Sequence, residues 1–543
     1  KMKTHRISQL TSAVVLALGL TTSAMANETS SGITGQILTP TGVGAANTTI
    51  IITHVPTGMV KTIKTNESGN YNLRGLRVGG PYKVVIDSDT FKDQKFDNVY
   101  LQVGKVERLS AELENDSTEV IQVTGSRIVG YTNSGSAGTW GSEEIANAAG
   151  GNRDLKDVLR SNPLVTVSTD AESTMSIAGS NPRFNSFTVD GVRQNDDFGL
   201  NGNGYPTQRS PISIDAVEQV SVETTPYSVK NGGFSGGQIN AVTKSGTNEF
   251  HGSLAYEKES DSWAGTPETV DGDEIELDFE STTYSLTLGG PIIEDKLFFF
   301  ASYESFDKPT QLEFGPNGSS APNETSFTLD EYNRVKDIAQ TVYGVDIGSW
   351  EAQPKEEDEK LLLKLDWNIN DDHRASFTYQ NTEGNSTRNL TSANYELRLS
   401  THWYNKNEAL ETMAAHLYST WNDDFSTEIK VAFKEVDTEQ APTSKSLGDI
   451  TVRGANGDIA FGPDRSRHGN ALSNETLSLR FVGEYLYEEH EITFGAEYES
   501  IDVINLYAPD SLGTWDFDSI DDFENQIADG FDYANAYTNN VSD

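Results

Sequence analysis

Gly233-Phe-Ser235-Gly-Gly237 fits the Gly-x-Ser-x-Gly pattern, in which a serine on a sharp turn serves as an acyl-transfer nucleophile. The pattern needs a strand before the serine and a helix after it. Here Gln238-Ile-Asn-Ala-Val242 alternates like a strand, so the glycines are read as a tight turn and close packing instead. Of the eight histidines, none begins His-x-x-Glu or His-Glu-x-x-His, so no zinc peptidase signature is present. His54, at the end of a β-prone run, reads as an ordinary surface residue. Neither Asp271-Gly-Asp273 nor Asp516-Phe-Asp518 continues into a twelve-residue calcium loop. Residues 258–280 carry nine carboxylates against one lysine and residues 504–543 carry nine with no base, which reads as a solvated, repulsive surface. The expectation is a protein that is not an enzyme, with no catalytic residue, no metal and no cofactor.

What, then, do the 543 residues build? Acidic residues outnumber basic ones by 82 to 40, a net charge of −42 that excludes wrapping nucleic acid phosphates. A mean hydropathy of −0.50 excludes a helical membrane protein. With 47 glycines, 21 tyrosines, 23 phenylalanines and no cysteine, the chain reads as all-β dominated and turn-rich rather than disulfide-stapled. At the start, Lys1, Lys3 and Arg6 precede a short apolar core, Ala13–Leu20, and Ala24-Met-Ala26 fits a small-x-small cleavage site. The apolar run is too short to span a bilayer, which needs about 20 residues. Residues 1–26 are therefore expected to be a cleaved secretory signal peptide, and Asn27, not cysteine, follows it, so no lipoprotein anchor is suggested.

Short β-branched runs at 33–37, 46–52, 59–65, 69–73, 82–86 and 106–113, with turn signals between them, predict a small β-sandwich over residues 31–115. Gly35, Gly69-Asn-Tyr71, Leu73, Leu76 and Pro81-Tyr82 resemble the carboxypeptidase regulatory-like domain, a transthyretin-like sandwich of the carbohydrate-binding-like fold group. Sugar binding follows only by analogy of fold. Beyond it, residues 116–127 hold a β-prone strip, Glu119, Val120, Ile121, Gln122 and Val123, between polar and Gly/Ser-rich flanks. Such a strip serves as an edge strand of its own domain or adds to the sheet of another protein. It resembles a TonB box, the segment by which an inner-membrane energy-coupling protein grips an outer-membrane receptor.

Residues 128–247 carry four ordered motifs. Arg153–Arg160 has helical spacing with Leu155, Val158 and Leu159 on one face, ended by Pro163. Then come Ile177–Arg183 with Phe187-Thr-Val-Asp190-Gly191, next Ile214–Glu223 within an expected buried strand from Ile212, and last Gly232–Gly246. Together they resemble the α+β plug domain of TonB-dependent receptors. The resemblance makes Arg183, Asp190, Gly191, Gly236, Gly237 and Asn240 the structural motif of the plug. It also implies that the loop with Asn195, Asp196, Asp197, Phe198, Asn201, Asn203 and Tyr205 faces the ligand.

From Phe250 the chain becomes alternating strands. Leu361, Leu363, Leu365 and Trp367 oppose Lys364, Asp366 and Asn368; Ile429, Val431 and Phe433 oppose Glu428, Lys430 and Lys434. Strands with one apolar and one charged face suit a membrane β-barrel, lipid outside and water inside. Trp367, Trp421, Tyr485 and Tyr487 suit an interfacial belt. Nine strands are expected, at 249–257, 281–290, 296–306, 359–369, 373–381, 411–421, 425–436, 475–487 and 490–503. Their links run alternately long and short, the pattern of outer-membrane barrels. An odd strand number does not close such a barrel, so residues 248–543 read as the N-terminal part of one.

The order of modules resembles an Oar-like TonB-dependent outer-membrane receptor of a Gram-negative bacterium. That resemblance implies active uptake of an unidentified ligand into the periplasm, with outer-membrane lipid and a TonB-type inner-membrane protein as partners and no nucleic acid. The alternative is an adhesion or secretion-related surface protein on the same scaffold.

Overall fold

The computed structural model describes residues 28–115, 137–148, 153–168, 173–224, 228–263, 265, 280–309, 312, 314–391, 393–445 and 447–534. The leader 1–26 and the strip Glu119–Val123 lie outside the described residues.

The first module is two four-stranded sheets face to face. In one, Ser31–Leu38 lies between Asn70–Leu76 and Val106–Arg108 and also pairs with Ala111–Glu112; the other runs Met59–Lys64, Thr49–His54, Gly79–Asp87, Gln94–Leu101. Alternation does the work: Ile50 and Ile52 point into the core with Ile33, Tyr71, Tyr82 and Val84, while Ile51 faces outward. Each fully buried side chain of this size contributes roughly 1.5–3 kcal/mol. Two expectations need correction. The strand Gln94–Leu101 was not foreseen, because Lys95, Asp97 and Asn98 give it no continuous apolar face. The run 106–113 is two short strands, broken at Leu109-Ser110.

The plug-like domain has a five-stranded sheet in the order Val192–Arg193, Ser186–Val189, Gln238–Thr243, Val217–Glu223, Ala137–Gly141. The helix Leu155–Leu159 packs Leu155, Val158 and Leu159 against it, and its N-cap Asp154 accepts from the Lys156 N–H. All six residues of Gln238–Thr243 are buried. The strand expected from Ile212 begins later. Ile214–Ala216 forms a 3-10 turn, and this is why Val217 falls out of phase with Ile214.

Nine strands then form one antiparallel sheet in chain order: His251–Ser260, Glu280–Ile293, Leu297–Pro309, Lys355–Asn368, His373–Arg388, Tyr404–Asn422, Phe425–Pro442, Asn470–Tyr487 and His490–Tyr507. The expected faces are those observed. Leu363, Leu365 and Trp367 stand exposed on the outer face, whereas Lys360, Lys364 and Asp366 are buried on the inner one. Ile429 and Val431 are likewise exposed, opposite buried Lys430 and Lys434. Trp367, Trp421, Tyr485 and Tyr487 are exposed near the short turns. The strands outrun their expected lengths, chiefly at the long-link end, where Lys355–Lys360 and Thr438–Pro442 continue the ladder with mostly polar side chains.

At that end the links form a cap with its own core. A five-stranded sheet (Glu396–Arg398, Asp458–Phe461, Asp449–Arg453, Thr514–Phe517, Gly530–Asp532) and the helix Leu329–Ile338 bury Phe327, Val335, Leu397, Val452, Ile459 and Phe523. The helix starts with a capping box, Thr328 and Glu331. At the opposite end the sandwich sits against the short turns. Arg77 pairs with Asp366 at 2.6 Å, and Arg374 donates to the Gly75 carbonyl at 2.9 Å. Asn66 donates to the Glu488 carbonyl at 2.8 Å.

Candidate functional site

Asp190 and Gly191 form a two-residue hairpin turn with φ of +44° and +72°, values that suit a glycine at the second place. The turn sets the Asp190 carboxylate between plug and wall. It accepts from the Thr243 N–H at 2.9 Å and the Thr243 hydroxyl at 2.6 Å, both in the plug, and from the Thr378 hydroxyl of the wall at 3.0 Å. Lys364 lies 3.4 Å away, and Lys430 donates to the Gly191 carbonyl at 2.7 Å. His416 Nε2 is 3.1 Å from the Asp190 carbonyl. The Asn240 amide donates to the Glu28 carbonyl and accepts from Thr188. A Cβ on Gly237 would stand 2.4 Å from Ile177, and one on Gly236 would stand 2.5 Å from Asn185, so close approach explains both glycines. Arg183 reaches the Gly199 carbonyl at 3.2 Å. Ser235, by contrast, runs directly into the strand Gln238–Thr243, so no helix follows it.

A second seat was not foreseen. Glu304, fully buried on the wall, accepts from Ser213 at 2.7 Å and Arg153 at 3.2 Å in the plug and from Lys360 at 2.7 Å beside it. The inward charge of the wall was readable; its partner was not, because Arg153 lies 151 residues away. Gln194 and Gln380 add a third cross-link at 2.7 Å.

The loop 195–205 rises to the long-link end of the wall, but most of its candidate side chains are occupied. Asn195 braces the plug through the Phe187 N–H and the Asn185 carbonyl. Asp196 collects the N–H groups of Phe198, Gly199 and Asn201. Asp197 pairs with Arg193 and, at 2.7 Å, with Lys434. Burial alone would raise its carboxyl, yet these two cations hold it below the usual carboxylate range. Asn201 donates to Glu408 at 2.7 Å, Asn203 donates to the Thr207 and Gln208 carbonyls, and buried Tyr205 donates to Asp154 at 2.9 Å. Phe198 alone of the seven is an exposed apolar side chain, 42% accessible, joined by Leu200. Nearby, Arg209 pairs with Asp358 at 2.8 Å and stacks 3.5 Å from the centre of the Phe306 ring.

At the short-turn end, sandwich, plug and wall enclose a cavity of about 100 Å³, lined among others by His54, Arg77, Glu218, Asp366, Arg374 and Tyr418. His54 is therefore not a surface residue. It is 5% accessible, its Nδ1 is 2.7 Å from the Thr57 hydroxyl, and its ring lies 4.6 Å from that of Tyr82. Burial, with Arg77 and Arg374 nearby, lowers its pKa to about 3. Beside the cavity, Lys230 of the plug joins Glu28 and Glu484, and Glu484 also pairs with Arg74 at 2.7 Å.

Comparison with known proteins follows this same division. Residues 32–114 match the Carboxypeptidase regulatory-like domain, residues 131–238 the TonB-dependent Receptor Plug Domain, and residues 242–327 an Outer membrane beta barrel domain. The chain carries, in order, the domains of a TonB-dependent outer-membrane receptor. It is 28% identical over 397 residues to the TonB-dependent transporter Oar of Myxococcus xanthus, an alignment covering 68% of this chain and 35% of that protein. In fold the receptor is similar to the outer membrane transporter YddB of Escherichia coli, with a TM-score of 0.52, 15% identity, and coverage of 70% of this chain and 50% of that one. It thus spans about a third to a half of the length of these relatives. The receptor is an outer-membrane protein of the Gram-negative type, its strands crossing the lipid.

Proposed function

We propose that the receptor imports a ligand actively. In this reading residues 1–26 direct export and the ligand binds outside, on the plug loop and the long links. A TonB-type protein of the inner membrane then pairs with Glu119–Val123 and pulls. The plug shifts and the ligand enters the periplasm; the receptor itself makes and breaks no covalent bond. The observation that supports this best is the seat of the plug. Asp190, Arg153 and Gln194 meet the wall through hydrogen bonds and ion pairs, with only a few apolar wall residues such as Phe300 and Leu362 joining the plug core. Polar contacts of this kind have a net worth of roughly 0.5–1.5 kcal/mol each when neutral and roughly 1.5–3 kcal/mol when a charged group takes part, because water replaces them. A plug so seated gives up only a few apolar contacts when it leaves its place. The printed names of the two relatives, both transporters, point the same way.

Deleting Glu119–Val123 is the test. Uptake should stop while ligand still binds at the surface; a protein that only adheres would be unaffected by the deletion. Growth on defined nutrients with and without the gene identifies the ligand.

A further inference from the structure

We propose that His402, Asp449 and Asp464, together with the Gly462 carbonyl, form a divalent-cation site that fastens the outer cap. The three residues come from two different links, 389–403 and 443–469, and their ligand atoms all lie within 4.8 Å of one another. His402 Nδ1 is 3.0 Å from the Gly462 carbonyl oxygen and 3.6 Å from Asp449 Oδ1. Donors held about 2.1 Å from one ion are separated by about 3.0–3.5 Å at the right-angle and tetrahedral edges of a coordination shell. The two spacings at Nδ1 fall on or close to that range, and Asp464 stands within 4.8 Å of both side chains.

Asp449 supplies a second, independent sign. It is only 5% accessible, yet no lysine or arginine pairs with it among the described residues. Its Oδ2 accepts the Arg465 N–H at 2.8 Å, while its Oδ1, 3.6 Å from His402 Nδ1, accepts no hydrogen bond among the described residues. A buried carboxylate left in this state is costly unless a cation meets it. The outer ring is already in place. Asp464 is oriented by the Ser466 N–H at 2.9 Å and by the Asn389 amide at 3.3 Å. The adjacent Arg465 pairs with Asp510 at 2.8 Å, so the site also adjoins the link 508–534.

One imidazole nitrogen, two carboxylates and a carbonyl suit a borderline ion such as zinc better than calcium or magnesium, which favour oxygen alone. The chain has no cysteine, so no thiolate competes. Metal binding replaces the proton that Nδ1 otherwise shares with the Gly462 carbonyl.

The test titrates ZnCl2 into the full chain in detergent after chelator treatment, with CaCl2 as the comparison ion. One equivalent of zinc should bind, and X-ray absorption should show a shell of nitrogen and oxygen at about 2.0–2.2 Å. His402→Gln and Asp449→Asn should each weaken binding by roughly tenfold or more. Asp371→Asn, on an exposed turn at the other end, should leave it unchanged. In the unmodified chain, zinc should protect residues 443–469 from protease, a readout independent of how the variants fold. No stoichiometric zinc, no protection, or equal affinity in the folded variants would overturn the proposal.

Discussion

The plug and the outer cap both sit at the inner face or rim of the same sheet, yet they are held by opposite means. The plug meets the wall through Asp190, Glu304 and Gln380, a seat of hydrogen bonds and ion pairs. The cap is gathered from four links around an apolar centre of Phe327, Leu397, Ile459 and Phe523. Apolar burial is lost outright when an interface opens, whereas polar contacts are exchanged for water. The contrast therefore separates a part suited to leaving its place from one suited to keeping its shape.

The largest effect should come from the cap. Phe327→Ala removes a fully buried ring and should cost about 4 kcal/mol. Hydrogen exchange should speed up in 393–403 and 449–461 while the helix 155–159 stays protected; loss shared equally by the plug would erase the contrast. Next, Glu304→Ala leaves Arg153 and Lys360 without their shared carboxylate and should cost about 3 kcal/mol. Here the exchange should rise in 153–160 and 213–216, with the cap unchanged.

A smaller effect is set by pH at the sandwich. Unfolded, the His54 imidazole gains a proton near pH 6.5; folded, it resists until about pH 3. Its contribution is thus whole above pH 6.5 and is lost as pH falls, by about 2 kcal/mol at pH 5. Melting of the sandwich followed from pH 7.5 to 5 should show that slope, and His54→Gln should flatten it. The smallest effect on stability belongs to Phe198→Ala, below about 0.5 kcal/mol because the side chain is exposed. Surface binding of the ligand should nevertheless weaken, and unchanged binding would remove Phe198 from the mouth.

What the sequence made legible follows the same physics. In the wall every second residue meets lipid, so Leu361, Leu363, Leu365 and Trp367 announce the strand without help from distant parts of the chain. Beyond the lipid that demand ends. Lys355–Lys360 pairs as regularly as the rest but presents Glu357 and Glu359 outward, and its strand was therefore expected too late. The cap was illegible for another reason. Phe327, Leu397, Ile459 and Phe517 lie in separate links, and no local period connects them. Within the plug, the Asp190-Gly191 turn and the close-packed Gly236-Gly237 were readable as motifs, while the Glu304 seat was not, since its four members come from four separate stretches of chain. His54 was misjudged because its burial comes from Tyr82 and from the docked wall rather than from its neighbours in sequence.

The most direct test concerns the two faces of the sheet. Because the chain has no cysteine, Leu363→Cys, Lys364→Cys, Leu365→Cys and Asp366→Cys can each carry a single spin label in a reconstituted bilayer. The account predicts that labels at 363 and 365 are open to dissolved oxygen in the lipid, while those at 364 and 366 are shielded from it by the plug. Equal accessibility at all four positions, or a protein that stays monodisperse without detergent with 363 and 365 shielded, would contradict it.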